Sequence, residues 1–185
     1  IITLEFCLKH KEIKWDWRTL SWYLLIEDII KYKDYPWDFS ILNNKKDFDI
    51  KYIYQYPGKN WNWKELSKKP ELDLEFVCKY KDNTWDWYHL SKRSDFTWKM
   101  VKMFNEKCLN WNFLSQRPDL EWEIVFDYMN KSWDWNYLSF RKDIPLKKIF
   151  SDKLYKYKWN YEIISKNPKL TKEIIMDNLN IKWDW

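Results

Sequence analysis

Apolar and polar positions along this chain follow a frame that returns about every 24 residues. It opens with Trp-Asp/Asn-aromatic-x-x-Leu/Ile-Ser, which places aromatic rings at positions 0 and 2 and an aliphatic side chain at position 5. A polar stretch follows. Apolar residues then return at positions 13, 15, 16 and 19, as in Trp98, Met100, Val101 and Phe104, or Trp122, Ile124, Val125 and Tyr128. Spacings of three and four put this second set on one face of a helix. No alternating run of strand character persists. The pattern predicts, in every copy, a first helix of one or two turns, a turn, a longer second helix and another turn.

The frame starts at Trp15, Trp37, Trp61, Trp85, Leu109, Trp133, Trp159 and Trp183, at intervals of 22, 24, 24, 24, 24, 26 and 24 residues. Residues 3–14 match the second half of a unit, and Trp183-Asp184-Trp185 opens another. Asp or Asn at position 1 (Asp16, Asp38, Asn62, Asp86, Asn110, Asp134, Asn160) suits an N-cap, because its side chain accepts from free backbone N–H groups. Asn62 and Glu65 have capping-box spacing. Pro70, Pro118 and Pro168 place a turn at position 9, and Thr3, Asp49, Asp73, Thr97 and Thr171 offer caps for the second helix at position 12. One such hairpin cannot bury its apolar face alone, so stacking against its neighbours must complete the core. The expected fold is an all-α solenoid of about seven helix-turn-helix repeats, a single array over residues 1–185.

The motif as it stands in Trp85-Asp86-Trp87, Leu90-Ser91 and Thr97-Trp98-Lys99-Met100-Val101 resembles the short tryptophan-rich repeats of proteins from large DNA viruses that infect protists. The resemblance covers nearly the whole chain, although the first and sixth units depart in length and the proline is often lost. It implies a viral origin and a repeat fold. It carries over no catalytic or binding residue.

Composition sharpens this picture at a few points. There is no alanine, one glycine (Gly58), and four arginines stand beside 29 lysines. Lys, Asn, Ile, Tyr and Phe are what an AT-rich genome encodes, so the lysine bias need not report binding. Tryptophan runs against that bias with 16 copies, which points to a physical reason for keeping it. With 21% aromatic residues the chain does not fit disorder. No stretch approaches the ~20 apolar residues of a membrane span. The opening Ile1-Ile2-Thr3-Leu4 has no basic-then-apolar leader, and an excerpt of a longer chain is expected. Three cysteines (Cys7, Cys78, Cys108) without metal spacing favour buried thiols in a reducing interior. A net charge of +5 names no partner by itself.

Thirteen of the sixteen tryptophans fall at positions 0 and 2, among them Trp15, Trp17, Trp37, Trp61, Trp63, Trp85, Trp87, Trp111, Trp133, Trp135 and Trp159. They form two aromatic ladders. Such rings could stack bases or sugars, each worth ~1–3 kcal/mol. In a chain without alanine they are better read as core, each burying ~150–250 Å² between successive hairpins. Trp87→Ala is then expected to cost ~3–5 kcal/mol. Positions 7 and 8 carry a basic row at the intra-repeat turn: Lys45, Lys68 with Lys69, Lys92 with Arg93, Arg117, Arg141 and Lys166. It suits phosphates or an acidic partner. Acids at position 10 (Asp47, Glu71, Asp95, Asp119, Asp143) would neutralise much of its field, so a solvated and locally balanced edge is expected. On that reading Arg93→Ala costs almost nothing.

Nothing in the chain assembles a catalytic site. His10 occupies a core-aromatic position, and His89 stands at a variable one with no nucleophile in register. Carboxylates occur in repeat register, as caps do. No enzyme activity, cofactor or metal is expected. The expected role is a protein-binding or virion scaffold acting in a host cytoplasm or particle, with the variable positions 3, 4, 7 and 8 as its surface. Nucleic-acid binding along the basic row is the alternative.

Overall fold

The computed structural model describes residues 3–152 and 154–184; Ile1, Ile2, Lys153 and Trp185, the last a member of the position-2 ladder, lie outside the described residues. The chain is an all-α repeat fold in two compact units, Ile1–Asp86 and Trp87–Trp185. In the first unit the helices are Leu4–Lys9, Trp17–Tyr23, Ile26–Lys31, the 3₁₀ turn Phe39–Asn44, Lys51–Gln55, Trp63–Leu66 and Leu74–Lys79. In the second they are Trp87–Leu90, Trp98–Met103, Trp111–Ser115, Trp122–Asp127, Trp135–Phe140, Leu146–Ser151, the 3₁₀ turn Leu154–Lys156, Tyr161–Ser165 and Lys172–Asp177. No strand occurs among the described residues.

The first helices start where the motif predicts, because the position-1 side chain accepts from the first turn. Asp16 accepts from the Arg18 and Thr19 amides, Asn110 from Phe113, Asp134 from Tyr137 and Asn160 from Ile163. Asn62 accepts from the Glu65 amide, but Glu65 turns to Lys68 and leaves the capping box half made. At position 12, Thr3, Asp73, Thr97 and Thr171 cap their helices, while Glu121 and Pro145 make no side-chain cap.

The second helix is the longer of the two, as the sequence predicts, in the repeats that start at Trp61, Trp85, Leu109 and Trp159, and is not in those that start at Trp15, Trp37 and Trp133. It spans five or six residues, against four to seven for the first. It stops at position 19, where the backbone leaves helical geometry (Tyr80 at φ −111°, ψ 37°). The freed carbonyl there is taken by the position-0 tryptophan of the next repeat. Indole Nε1 of Trp37, Trp61, Trp85 and Trp133 donates to the carbonyls of Tyr32, Tyr56, Tyr80 and Tyr128 at 2.8–2.9 Å. An indole is both large enough to fill the seam and polar enough to finish a helix, which no other apolar side chain combines.

Helices this short do not stand alone in water, so packing between repeats carries them. The deepest layer is made by position 5 (Leu42, Leu66, Leu90, Leu114, Leu138, Ile164) and position 16 (Ile53, Val77, Val101, Val125, Ile149). Leu72, Phe96, Leu120 and Ile144 add a buried residue at position 11, ahead of the helix, where periodicity gives no signal. A serine at position 6 pins each hairpin to the next. Ser115 Oγ donates to the Trp111 carbonyl and accepts the Asp134 amide, each at 2.9 Å. Ser21, Ser67, Ser139 and Ser165 repeat the arrangement. Where Asn43 replaces the serine, its amide donates to the Asn62 carbonyl instead.

The two off-length repeats absorb their changes in different turns. In the first, only Leu24 and Leu25 separate Trp17–Tyr23 from Ile26–Lys31. In the sixth, the additional residues form the Leu154–Lys156 turn after the second helix.

Candidate functional site

The tryptophan ladders are one interleaved seam. The position-2 ring of one repeat meets the position-0 ring of the next edge-to-face, with centroids 4.9 Å apart in Trp17–Trp37, Trp63–Trp85, Trp111–Trp133 and Trp135–Trp159. The outer side of the position-2 ring is also covered. Lys107 lies over Trp87 and Lys131 over Trp111, while in the off-length repeats Tyr35 packs on Trp17 and Tyr157 on Trp135. Trp37, Trp61, Trp63, Trp85, Trp87, Trp111, Trp133 and Trp159 are buried; Trp15, Trp17 and Trp135 are half-buried. The eight buried rings offer no open face for stacking bases or sugars.

The basic row requires correction, because it is two sets with different surroundings. Position 8 points inward. The side chains of Arg117 and Arg141 are only 12% and 13% exposed. Nε and Nη2 of Arg117 fork onto Asp119 at 2.9 and 2.7 Å, Nη1 donates to the Phe96 carbonyl one repeat back at 2.5 Å, and the guanidinium lies 4.8 Å from the Trp98 ring centroid. Arg141 forks onto Asp143, donates to the Arg117 carbonyl and covers Trp122; Arg93 forks onto Asp95. Lys45 donates to the Trp22 and Leu24 carbonyls at 2.6 Å, and Lys69 lies over Phe48. Burial pushes the Lys45 ammonium below its usual range. The arginines beside them hold the Asp95, Asp119 and Asp143 carboxyls below the ordinary carboxylate value. Position 7 points outward: Lys68 pairs with Glu65, Lys166 with Glu162 and Asp184, and Lys92 lies over Tyr88. The row is therefore neither a continuous track of cations nor wholly a solvated edge. Its position-8 half is an inter-repeat staple, whose forked geometry suits arginine far better than lysine.

Among the described residues, the junction between the sixth and seventh repeats lacks that staple. Leu146 stands where Trp98 and Trp122 stand, and Asn167 where the arginines do. A groove of about 750 Å³ opens there between Leu146–Ser151 and Lys172–Asp177. Its charges are mixed (Lys147, Lys169, Glu173, Asp177) around Leu146, Phe150 and Ile174.

Cys7 is buried, Cys78 half-buried and Cys108 exposed, so the expectation of three buried thiols holds for Cys7 alone. Burial raises the Cys7 thiol pKa. His10 packs on Phe6 and bonds Glu12 through Nδ1, and His89 is exposed next to Tyr88. Among the described residues no group of histidine, cysteine and carboxylate side chains could hold a metal, and no helix is long and apolar enough to cross a membrane.

The outer side of the first helices is accessible on the frame. With position 8 withdrawn, this surface consists of positions 3, 4 and 7. In Trp111–Ser115 and Trp135–Phe140 it presents Asn112, Phe113, Gln116, Asn136, Tyr137 and Phe140, all exposed. No member of this set carries charge, in a chain that is 33% charged. Phe140 is 73% exposed. Tyr88 and Lys92 continue the surface on Trp87–Leu90, which Ser91 joins to the next repeat through the Asn110 amide. The equivalent surface of Trp63–Leu66 carries Lys64, Glu65 and Lys68. The absence of charge from positions 3, 4 and 7 of two successive repeats is readable in the sequence once position 8 is known to point inward. Compared with models of known protein families, with curated proteins and with solved structures, the chain matches none.

Proposed function

We propose that this chain is a non-enzymatic repeat scaffold that binds a protein partner through the outer side of its first helices. One observation carries the reading: the uncharged, aromatic and amide-bearing surface of Trp111–Ser115 and Trp135–Phe140. Exposed apolar side chains that are clustered and free of charge are what protein interfaces collect at their centres, with charge kept to the rim. Aromatic anchors there carry most of the binding energy. The seam tryptophans and position-8 cations hold most of the frame, which leaves positions 3, 4 and 7 to vary at little cost to the fold. A virion or host-cell setting belongs to the same proposal and rests on the resemblance of the repeat motif.

The test is affinity capture from host cells or purified particles, with nuclease present, comparing the natural chain with Phe113→Ala/Tyr137→Ala/Phe140→Ala. The expected result is a defined set of proteins that survives nuclease and is lost with the triple variant. An unchanged set would remove this surface from the function. Recovery that collapses with nuclease would return nucleic acid to first place.

A further inference from the structure

We propose that the groove between Leu146–Ser151 and Lys172–Asp177 binds a short peptide segment with an acidic residue at one end, a basic residue at the other and apolar side chains between them. This is a second site, on second helices, and it goes beyond the reading of the first-helix surface. The two preceding junctions show what fills such a space there. Trp98 donates across its junction to the Asp119 carbonyl at 2.8 Å and Trp122 to Asp143 Oδ2 at 3.1 Å. In each case the arginine of the next repeat lies over the indole. Between the sixth and seventh repeats all three members change. Leu146 is smaller than an indole and has no side-chain N–H. Asn167 keeps its Oδ1 within its own turn, accepting the Lys169 amide at 2.9 Å. Lys169 stands where the earlier repeats have Asp119 and Asp143. The groove of about 750 Å³ opens where the other junctions hold an indole and a guanidinium.

The groove is apolar at depth and charged at its rim in a definite order. Leu146 and Phe150 on one wall are buried, and Ile174 on the other is half-buried. Lys147, Lys169, Glu173 and Asp177 line it as exposed side chains and make no ion pair among the described residues. The Asp143 carboxylate, by contrast, is held by the Arg141 fork. Lys147 and Glu173 are each the second residue of their helix, so a ligand charge near both meets opposite signs and gains little from either. Lys169 precedes Lys172–Asp177, and Asp177 is its last residue. These two charges therefore mark opposite ends of one wall, which at 1.5 Å rise per residue is roughly 9 Å of helix. That order selects the occupant. A polyanion such as nucleic acid would bring like charge against Glu173 and Asp177, and a polycation against Lys147 and Lys169. A wholly apolar ligand would cover these charges with nothing opposite them. An extended peptide rises ~3.3 Å per residue, so an acid and a base about three residues apart span the wall, with the apolar side chains between them over Leu146, Phe150 and Ile174.

Fluorescence anisotropy with the full chain tests this, using a labelled five-residue peptide with Glu first, Lys last and Leu-Phe-Leu between. Companion probes replace the Glu by Gln, the Lys by Gln, both together, or the apolar centre by Gly-Ser-Gly. Unlabelled single-stranded DNA serves as a competitor. The Glu/Lys probe is expected to bind about tenfold tighter than the doubly neutral one, roughly threefold for each charge, since partly exposed pairs are weak. The Gly-Ser-Gly probe should bind at least about tenfold more weakly. Lys169→Ala should remove the preference for Glu and keep that for Lys, and Asp177→Ala should do the reverse. Circular dichroism checks that both variants keep the helical signal, and the comparison of probes on the natural chain stands without them. No binding of the Glu/Lys probe, or equal affinity for charged and neutral probes, overturns the inference. So does loss of both preferences in either folded variant, or displacement of the peptide by DNA.

Discussion

Removing the Arg117 side chain puts the staple to the test, because the sequence pattern and the structure make opposite forecasts for position 8. A cation at a solvated turn is worth at most about 0.5 kcal/mol. The structure gives Arg117 three attachments, and they differ in worth. The fork to Asp119 is well formed, but the carboxylate is 55% exposed, so solvent screening holds it to about 0.5–1 kcal/mol. The Nη1 bond to the Phe96 carbonyl joins a charged donor to a part-buried acceptor of the neighbouring repeat, worth about 1–2 kcal/mol. The guanidinium over Trp98 adds about 0.5–1 kcal/mol. Arg117→Ala should therefore cost about 2–4 kcal/mol, while Lys92→Ala, at position 7, should stay within about 0.5 kcal/mol. Urea unfolding followed by tryptophan fluorescence reads the difference. With a slope near 2 kcal/mol/M the arginine variant loses about 1–2 M of midpoint. Arg117→Lys keeps the charge but not the fork, and should recover less than half of the loss. Repeat arrays can unfold in parts, so amide exchange at Trp98–Met103 should be measured alongside; those protons exchange faster in Arg117→Ala if the staple acts locally. Equal midpoints for Arg117→Ala and Lys92→Ala would refute the staple and restore the solvated edge.

Three further outcomes follow from the same frame. Ser115→Ala leaves the Asp134 amide without its inter-repeat acceptor and should cost about 1–3 kcal/mol, with faster exchange of that amide as the specific sign; an unchanged exchange rate would show that the serine does not join the repeats. Trp133→Phe keeps an aromatic ring in the seam but removes the indole N–H bound to the Tyr128 carbonyl, and because that carbonyl keeps the Lys131 amide at 3.0 Å the change should lower stability by about 0.5–1.5 kcal/mol; no measurable loss would mean the ring matters only for its bulk. Acid should act through Asp95, Asp119 and Asp143, whose carboxyls are depressed chiefly by hydrogen bonds from Arg93, Arg117 and Arg141. A depressed folded value means that the stabilisation is complete above the unfolded carboxyl range of about 4 and is lost as pH falls from there through the folded values. A melting-temperature profile from pH 7 to 2.5 should drop below about pH 4, less steeply in the triple Asp→Asn variant, and parallel profiles would count against the pairing.

The repeat, the helical class and the burial of most seam tryptophans were legible because each is written many times over in one register. A position that is aromatic in nearly every copy reports a constant environment, as Trp61, Trp85 and Trp133 do. The same register hid the role of position 8. Arg117 and Lys92 look alike in a string of basic residues at a polar turn, and only the path of the chain sends one guanidinium back across a repeat to the Phe96 carbonyl. Position 6 was visible as part of the motif, yet nothing local says that the Ser115 hydroxyl serves the Asp134 amide of the next hairpin. Nor could periodicity find Phe96 and Leu120, which are buried ahead of the second helix by the fold of the turn and not by a helical face. The end of the second helix was hidden for a related reason. The apolar pattern runs to position 19, but the helix stops at the tyrosine there, whose carbonyl accepts both the next tryptophan's indole N–H and the backbone amide three residues on.

The division of labour inside one repeat explains how such a scaffold can carry a specific surface at little structural cost. Most of what joins repeats points inward or along the seam: the Trp–Trp contacts, the serine bridge, the arginine fork and the indole at the end of most second helices. These connections are made by side chains at positions 0, 2, 6, 8 and 10, so substitutions at 3, 4 and 7 leave them intact, although Asn136 at position 3 also bonds Asn160 and Lys166 at position 7 also pairs with Asp184 of the next repeat. Trp63–Leu66 and Trp111–Ser115 illustrate the point, since they share the frame while one presents Lys64, Glu65 and Lys68 and the other Asn112, Phe113 and Gln116. Exposed aromatics such as Tyr137 and Phe140 do nothing for the seam and add a liability for aggregation. Their place on adjacent repeats, with no charge among them, is the observation on which the proposed binding surface rests.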